Sequence, residues 1–203
     1  MRLFRVGLGA VALTLWVGVM ALSAEDAIPR HHRYPDGRTV AFTSWSMFLV
    51  CDSTWLQSEG KTDLVALYNA YLILVVTANE NDAPLWAFPK TSGWRAEEID
   101  PVWSKPYCES LGLSTHASPV VVITVHPPDT IKPSDAKVLL AFGQRRRRDI
   151  ARMLTRLAER TAEERLGDAR AGSAEWWSTW GRLSAWARSH LSGVTLSVQA
   201  ENR

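Results

Sequence analysis

Val120-Val-Val-Ile-Thr-Val125, then Pro127, Pro128 and Pro133, then Lys137-Val-Leu-Leu-Ala-Phe142 and Gly143, decide how this chain folds. All six residues of the first run are β-branched. Such side chains are stiff at χ1 and pack well on a pleated surface, so the run predicts a buried strand. The prolines cannot extend a central strand and mark a turn. The second run predicts another strand, closed by Gly143. A connection this short joins two strands as an antiparallel hairpin.

Towards the C-terminus, Ile150, Met153, Leu154, Leu157 and Leu166 form an apolar stripe over 149–166, which predicts a helix. Arg148, Arg152, Arg156 and Arg160 form a parallel basic stripe, four residues apart. Arg145 to Arg148 sit where the helix starts. Cations there oppose the macrodipole, so they do not serve helix stability. They read either as a solvated basic face or as a dock for an acidic partner or phospholipid headgroups. Beyond, 175–191 carries Trp176, Trp177, Trp180 and Trp186. Trp176, Trp180, Leu183 and Ala187 share one helical face. That face suits packing on the main domain or a partner, with peripheral membrane contact as the other reading.

Towards the N-terminus, Val40 to Trp45 predicts a first strand. Thr62 can cap a helix in which Leu64, Leu67, Tyr68 and Tyr71 recur at helical spacing. Leu72 to Thr77 is a short apolar, β-rich run. It predicts a buried strand, ended by Asn79, Asn81 and Asp82. Residues 83–93 read as a loop. Glu97 to Leu111 predicts helix broken into pieces by Pro101 and Pro106. The order is strand, helix, strand, helix, strand, strand, helix. Helical crossovers imply parallel pairs before the hairpin. The expected fold class is α/β, a mixed sheet with helices on both faces.

The first 24 residues read as an address. Arg2 and Arg5 precede the apolar run Val6 to Leu22, and Ala21-Leu-Ser-Ala24 offers small residues for cleavage after Ser23 or Ala24. This is the form of a secretory signal peptide, with a retained anchor as the alternative. Residues 25–38 are polar, with Pro29, Pro35 and Gly37, and read as an exposed lead-in. The chain has 23 basic and 21 acidic residues. Losing Arg2 and Arg5 brings the charge to balance, which gives nucleic-acid binding no electrostatic support. The expected location is exported: periplasmic, secreted or extracellular. In that oxidising setting the two cysteines, Cys51 and Cys108, are expected to pair. Their bridge would close 57 residues, which loop entropy values at about 4 kcal/mol.

Three stretches carry a resemblance: Asp63 to Tyr71 with Leu72 to Asn79; Leu111-Gly-Leu113 with Ala117-Ser-Pro119 and the run after it; and Lys137 to Gly143 with its following helix. In order and spacing they resemble exported thioredoxin-like proteins, over residues 39–166, with 167–203 as a tryptophan-rich C-terminal extension. The resemblance implies a thioredoxin-like sheet flanked by helices. It also implies that Ser118-Pro119 corresponds to the family's cis-proline loop, which lies beside the reactive cysteine and pairs with a bound peptide backbone. The sequence departs from the family at the dithiol. Ser44-Trp-Ser-Met47 and Phe48-Leu-Val-Cys51 stand where redox members carry Cys-x-x-Cys. Phe48 also breaks the peroxiredoxin pattern of Thr three residues before a lone cysteine.

The candidate sites follow. Cys51, resolved by Cys108, would be catalytic in an atypical thiol–disulfide oxidoreductase; otherwise the pair is a structural disulfide. Trp45, Ser118, Pro119 and Trp180 are candidate binding residues. His116 reads as an exposed loop histidine rather than a base. His31 and His32, adjacent on an extended segment, point apart and make no metal site. Glu97 and Glu98 do not face each other on a helix. No cofactor or metal motif is present. The expected function is that of an exported binding or assembly factor of the cell envelope, with an envelope or periplasmic protein as partner. The oxidoreductase and a membrane-peripheral structural protein are the alternatives.

Overall fold

The computed structural model describes residues 44–57, 60–78, 86–87, 101–116, 119–128 and 130–200. The expected signal peptide, the lead-in, Val40 to Thr43, the histidine pair, Glu97–Glu98 and Ser118 lie outside the described residues. The hairpin runs as its sequence predicts. Strand β3 (Val120–Thr124) pairs antiparallel with β4 (Lys137–Ala141), Val122 opposite Leu139. The turn between them is held from inside. Lys137 is buried, and its ammonium donates to the carbonyls of Lys132, Pro133 and Asp135. Burial lowers its pKa, with Asp135 opposing that shift.

Strand β1 is Trp45–Leu49, so the first strand lies later than the expected Val40 to Trp45. It runs antiparallel to β3, with Leu49 opposite Val120. A two-residue strand β2 (Trp86–Ala87), within the stretch expected to be loop, runs parallel to β1. Strand β5 (Thr195–Gln199), which the sequence reading did not anticipate, pairs antiparallel with β4. The sheet order is β2-β1-β3-β4-β5. Among the described residues, parallel pairing is thus confined to β1 and β2. The result is a mixed sheet, four of its strands antiparallel neighbours.

Helix α1 (Lys61–Ala78) runs straight through Leu72 to Thr77, correcting the strand expected there. Leu64, Leu67, Tyr68, Tyr71, Leu74, Val75 and Ala78 are all buried, which is one unbroken helical face. The periodicity of the preceding turns continues and overrides the β-rich composition of the segment. Helix α2 (Pro101–Ser110) contains Pro106 without breaking, contrary to the expected fragmentation. Ser104, Cys108 and Leu111 are buried on its inward side, and these contacts offset the missing backbone bond. Helix α3 is Arg147–Glu163 and α4 is Ala174–His190.

Alternation along the strands sends side chains to two cores. Phe48, Val121, Ile123, Val138 and Leu140 face α1, α3 and α4. Met47, Leu49, Val120 and Val122 face α2. Helices therefore cover both faces. The first core is the larger and includes fully buried Trp176, Trp180 and Leu183. The tryptophan-rich stretch packs against the sheet and supplies β5 as its outermost strand. In the same core Phe48 meets Tyr71 edge to face at 5.4 Å. The Tyr71 hydroxyl is 2.9 Å from Ser46 Oγ. Burial pushes the Tyr71 phenol well above its ordinary range.

Candidate functional site

Two of the candidate residues, Cys51 and Pro119, meet at the end of the sheet where β1 finishes and β3 begins. Cys51 stands two residues past β1, and Pro119 one residue before β3. Because Leu49 pairs with Val120, the two loops leave the sheet side by side. Pro119 is buried and Cys51 half-buried. The bond between Ser118 and Pro119 rests on a residue outside the described set.

Cys51 is bonded to Cys108, with the Cα atoms 5.7 Å apart. Both cysteines of the chain are used, so no free thiol remains. Cys108 is 1% exposed on α2. Four residues earlier, on the same face, Ser104 Oγ accepts a 3.1 Å hydrogen bond from the buried Val50 amide. The end of β1 is thus fastened to α2 twice in succession, by a hydrogen bond at Val50 and a covalent bond at Cys51. Past Cys108 the helix turns through Gly112 at φ 69°, and the Leu113 amide donates back to the Cys108 carbonyl at 2.7 Å. A left-handed residue there is a helix-ending motif that glycine adopts freely.

After Cys51 the chain makes a 3₁₀ turn, Ser53–Leu56. The Asp52 carboxylate caps it, accepting from the Thr54 hydroxyl at 2.6 Å and the Thr54 amide at 2.9 Å. These two bonds, the hydroxyl first, hold its pKa below the usual carboxylate value. Trp55 is half-buried, and its indole N–H donates to the Arg145 carbonyl at 3.4 Å. The Arg147 guanidinium lies 5.4 Å from the Trp55 ring centre. It donates to the carbonyls of Leu56 and, at 3.2 Å, Gly60. Arg147 itself is 2% exposed. One member of the four-arginine cluster is therefore a buried clamp on the loop after Cys51. Arg145 is engaged too, donating to the Ser192 carbonyl at 3.0 Å.

Trp45 stands at the opposite end of β1, across from Thr124, and is 7% exposed. Trp180 is fully buried, edge to face with Trp176 at 5.9 Å between ring centres. Neither shares a surface with Cys51. His116 is half-buried, its Nδ1 3.1 Å from the Leu113 carbonyl. Sequence reasoning missed Ser104, Asp52 and Arg147 as supports of this loop. A Ser-x-x-x-Cys spacing on a predicted helix was the available signal for Ser104. Nothing in a run of four arginines marks which one turns inward.

Among the described residues no group of three or more His, Cys, Asp or Glu is placed to hold a metal ion. Among them, too, no helix is long and apolar enough to cross a membrane. Chemically the site offers a disulfide between a half-buried and a buried cysteine, with a fixed capping loop beside it. Comparison of the chain with protein-family models, curated proteins and solved structures finds no match.

Proposed function

We propose that this protein is an exported, thioredoxin-like binding or assembly factor of the cell envelope that works without dithiol exchange. The order β1-α1-β2-α2-β3-β4-α3 supports the thioredoxin-like part, with Trp86–Ala87 as second strand in place of the Leu72 to Asn79 stretch on which the resemblance partly rested. The position of Cys51 after the first strand, beside the Pro119 loop, supports it further. The observation that carries binding over turnover is the Cys51–Cys108 bridge. It joins two separate elements, uses both cysteines and hides one of them. A turn that carried a reactive dithiol would need a second thiol near Cys51, and Asp52 to Leu56 supply none. The partner contact is assigned to the sheet end, around Cys51, Asp52, Trp55 and His116. Trp45 and Trp180 serve packing. Trp176 and Trp180 are buried while Trp177 and Trp186 are half-buried, which favours packing over a membrane-peripheral role.

The half-buried state of Cys51 favours one second reading, a reversible disulfide. An incoming thiolate would attack Cys51 Sγ, form a mixed disulfide and release Cys108 as the leaving thiolate. An insulin-reduction assay with dithiothreitol as electron source separates the two. Binding without turnover predicts a rate no higher than the uncatalysed one. Turnover that vanishes in Cys51→Ser and persists in Cys108→Ser would establish the oxidoreductase.

A further inference from the structure

We propose that the groove between α1 and α3 is a docking site for an acidic amphipathic helix of a partner protein. The groove holds about 530 Å³. On the α1 side its lining is uncharged: Ala66, Asn69, Ala70 and Ile73. Ile73 is 52% exposed, the more exposed of the two large hydrophobic side chains left at the surface among the described residues. The other, Val65, lies about two turns earlier on the same helix and outside the groove lining. On the α3 side the lining includes Arg148, Arg152 and Arg156.

These arginines differ from the rest of their group. Arg145 and Arg147 are spent on backbone carbonyls, and Arg160 is paired with Glu163 and Glu164. Among the described residues Arg152 forms one ion pair, with Asp149 at 3.5 Å. Arg148 and Arg156 form no ion pair among the described residues. Three guanidinium groups thus flank an exposed apolar strip with one carboxylate among them. A helix rises about 6 Å in four residues, so the arginines repeat at the interval at which i, i+4 carboxylates repeat on a partner helix. Guanidinium–carboxylate pairs can be bidentate, which fixes register as well as charge. An apolar stripe on the same helix would cover Ile73, the helix-in-groove mode of recognition. Ala66, Ala70 and Ala151 keep the floor low enough for close approach. Contact with a bilayer favours outward Trp or Phe. The groove lining has neither, and it is concave.

The probes are two synthetic helical peptides of about four turns. Both carry a Leu stripe; one has Glu at three positions four apart, the other Lys at the same positions. Fluorescence anisotropy with the purified protein should show the Glu peptide binding at least tenfold more tightly, with affinity falling as salt rises. Arg148→Glu/Arg156→Glu should reverse the preference between the peptides, and Ile73→Asp should weaken the Glu peptide by about tenfold. Should the double reversal fail to fold, Arg156→Gln alone must still weaken the Glu peptide. Equal binding of both peptides, or a Glu-peptide affinity unmoved by the arginine changes, would overturn the proposal. So would binding to phosphatidylglycerol vesicles, lost in the same variants, without binding of the Glu peptide.

Discussion

At the scale of single residues, Arg147 does more for the sheet-end loop than any other side chain outside the disulfide. Its guanidinium bridges two carbonyls of the segment between Cys51 and α1 while covering Trp55. Arg147→Ala would leave those carbonyls without their donor and open space beside the indole. A loss of about 2–4 kcal/mol in urea unfolding is expected, from the range for charged hydrogen bonds together with lost packing. Arg147→Lys should recover less than half of it. An ammonium on a flexible stem cannot span both carbonyls in a plane or stack as a guanidinium does. A stability loss within 0.5 kcal/mol for the alanine variant, the range of ordinary surface changes, would show that the clamp is incidental. The sequence made the arginine cluster visible but not its division of labour. Arg145, Arg147 and Arg148 have the same side chain, and only the path of the preceding loop sends one of them inward. The cysteine pair was legible because two cysteines admit one pairing. Its supports, Ser104 and Asp52, were not, since each acts on backbone atoms that only the fold brings near.

At the scale of elements, legibility followed the number of consistent turns or alternations. The β3–β4 hairpin was readable because composition and prolines agreed. Helix α1 was misread from Leu72 onward because its buried face is apolar and Ile73 is apolar as well, so composition hid the periodicity. Strand β5 was missed because Thr195, Ser197 and Gln199 alternate with only Leu196 and Val198, and only pairing with β4 makes it a strand. The faces of α4 were read correctly, and that helix gives a direct prediction. Trp180→Ala should cost about 3–5 kcal/mol, the range for emptying a large aromatic site in a core. The neighbouring α3–α4 junction gives a pH prediction. Glu164 accepts from Arg182 Nε at 2.9 Å and also pairs with Arg160. The Arg182 hydrogen bond, above all, lowers the Glu164 pKa from 4.5. A carboxylate with a depressed folded-state pKa contributes fully above the unfolded value and loses that contribution as pH falls through the folded one. Glu164→Gln should therefore lower the melting temperature at pH 7. The gap from the parent should narrow steadily below about pH 4.5, the ordinary glutamate value. A gap that stays constant across that range would assign the effect to packing instead.

At the scale of the whole molecule, a covalent brace locks one end of a mixed sheet, the end where partner binding is proposed. The brace joins the end of β1, shared by both cores, to α2 on the smaller one. Removing it in Cys51→Ala/Cys108→Ala should cost about 4 kcal/mol, because the unfolded chain regains the freedom of a 57-residue loop. Partner binding at the sheet end should survive wherever the variant remains folded. The exported setting is part of the proposal, and the most direct test of the central claim lies in the Cys51–Cys108 pair itself. Equilibrate the purified protein across a graded series of reduced and oxidised dithiothreitol. Count free thiols by alkylation and mass, and follow folding in the same samples. A brace predicts a reduction potential below about −300 mV, so that Cys51 and Cys108 resist glutathione, and that thiols appear together with loss of stability. Reversible reduction near −270 to −120 mV, the range of exchange catalysts, with the fold intact would contradict it.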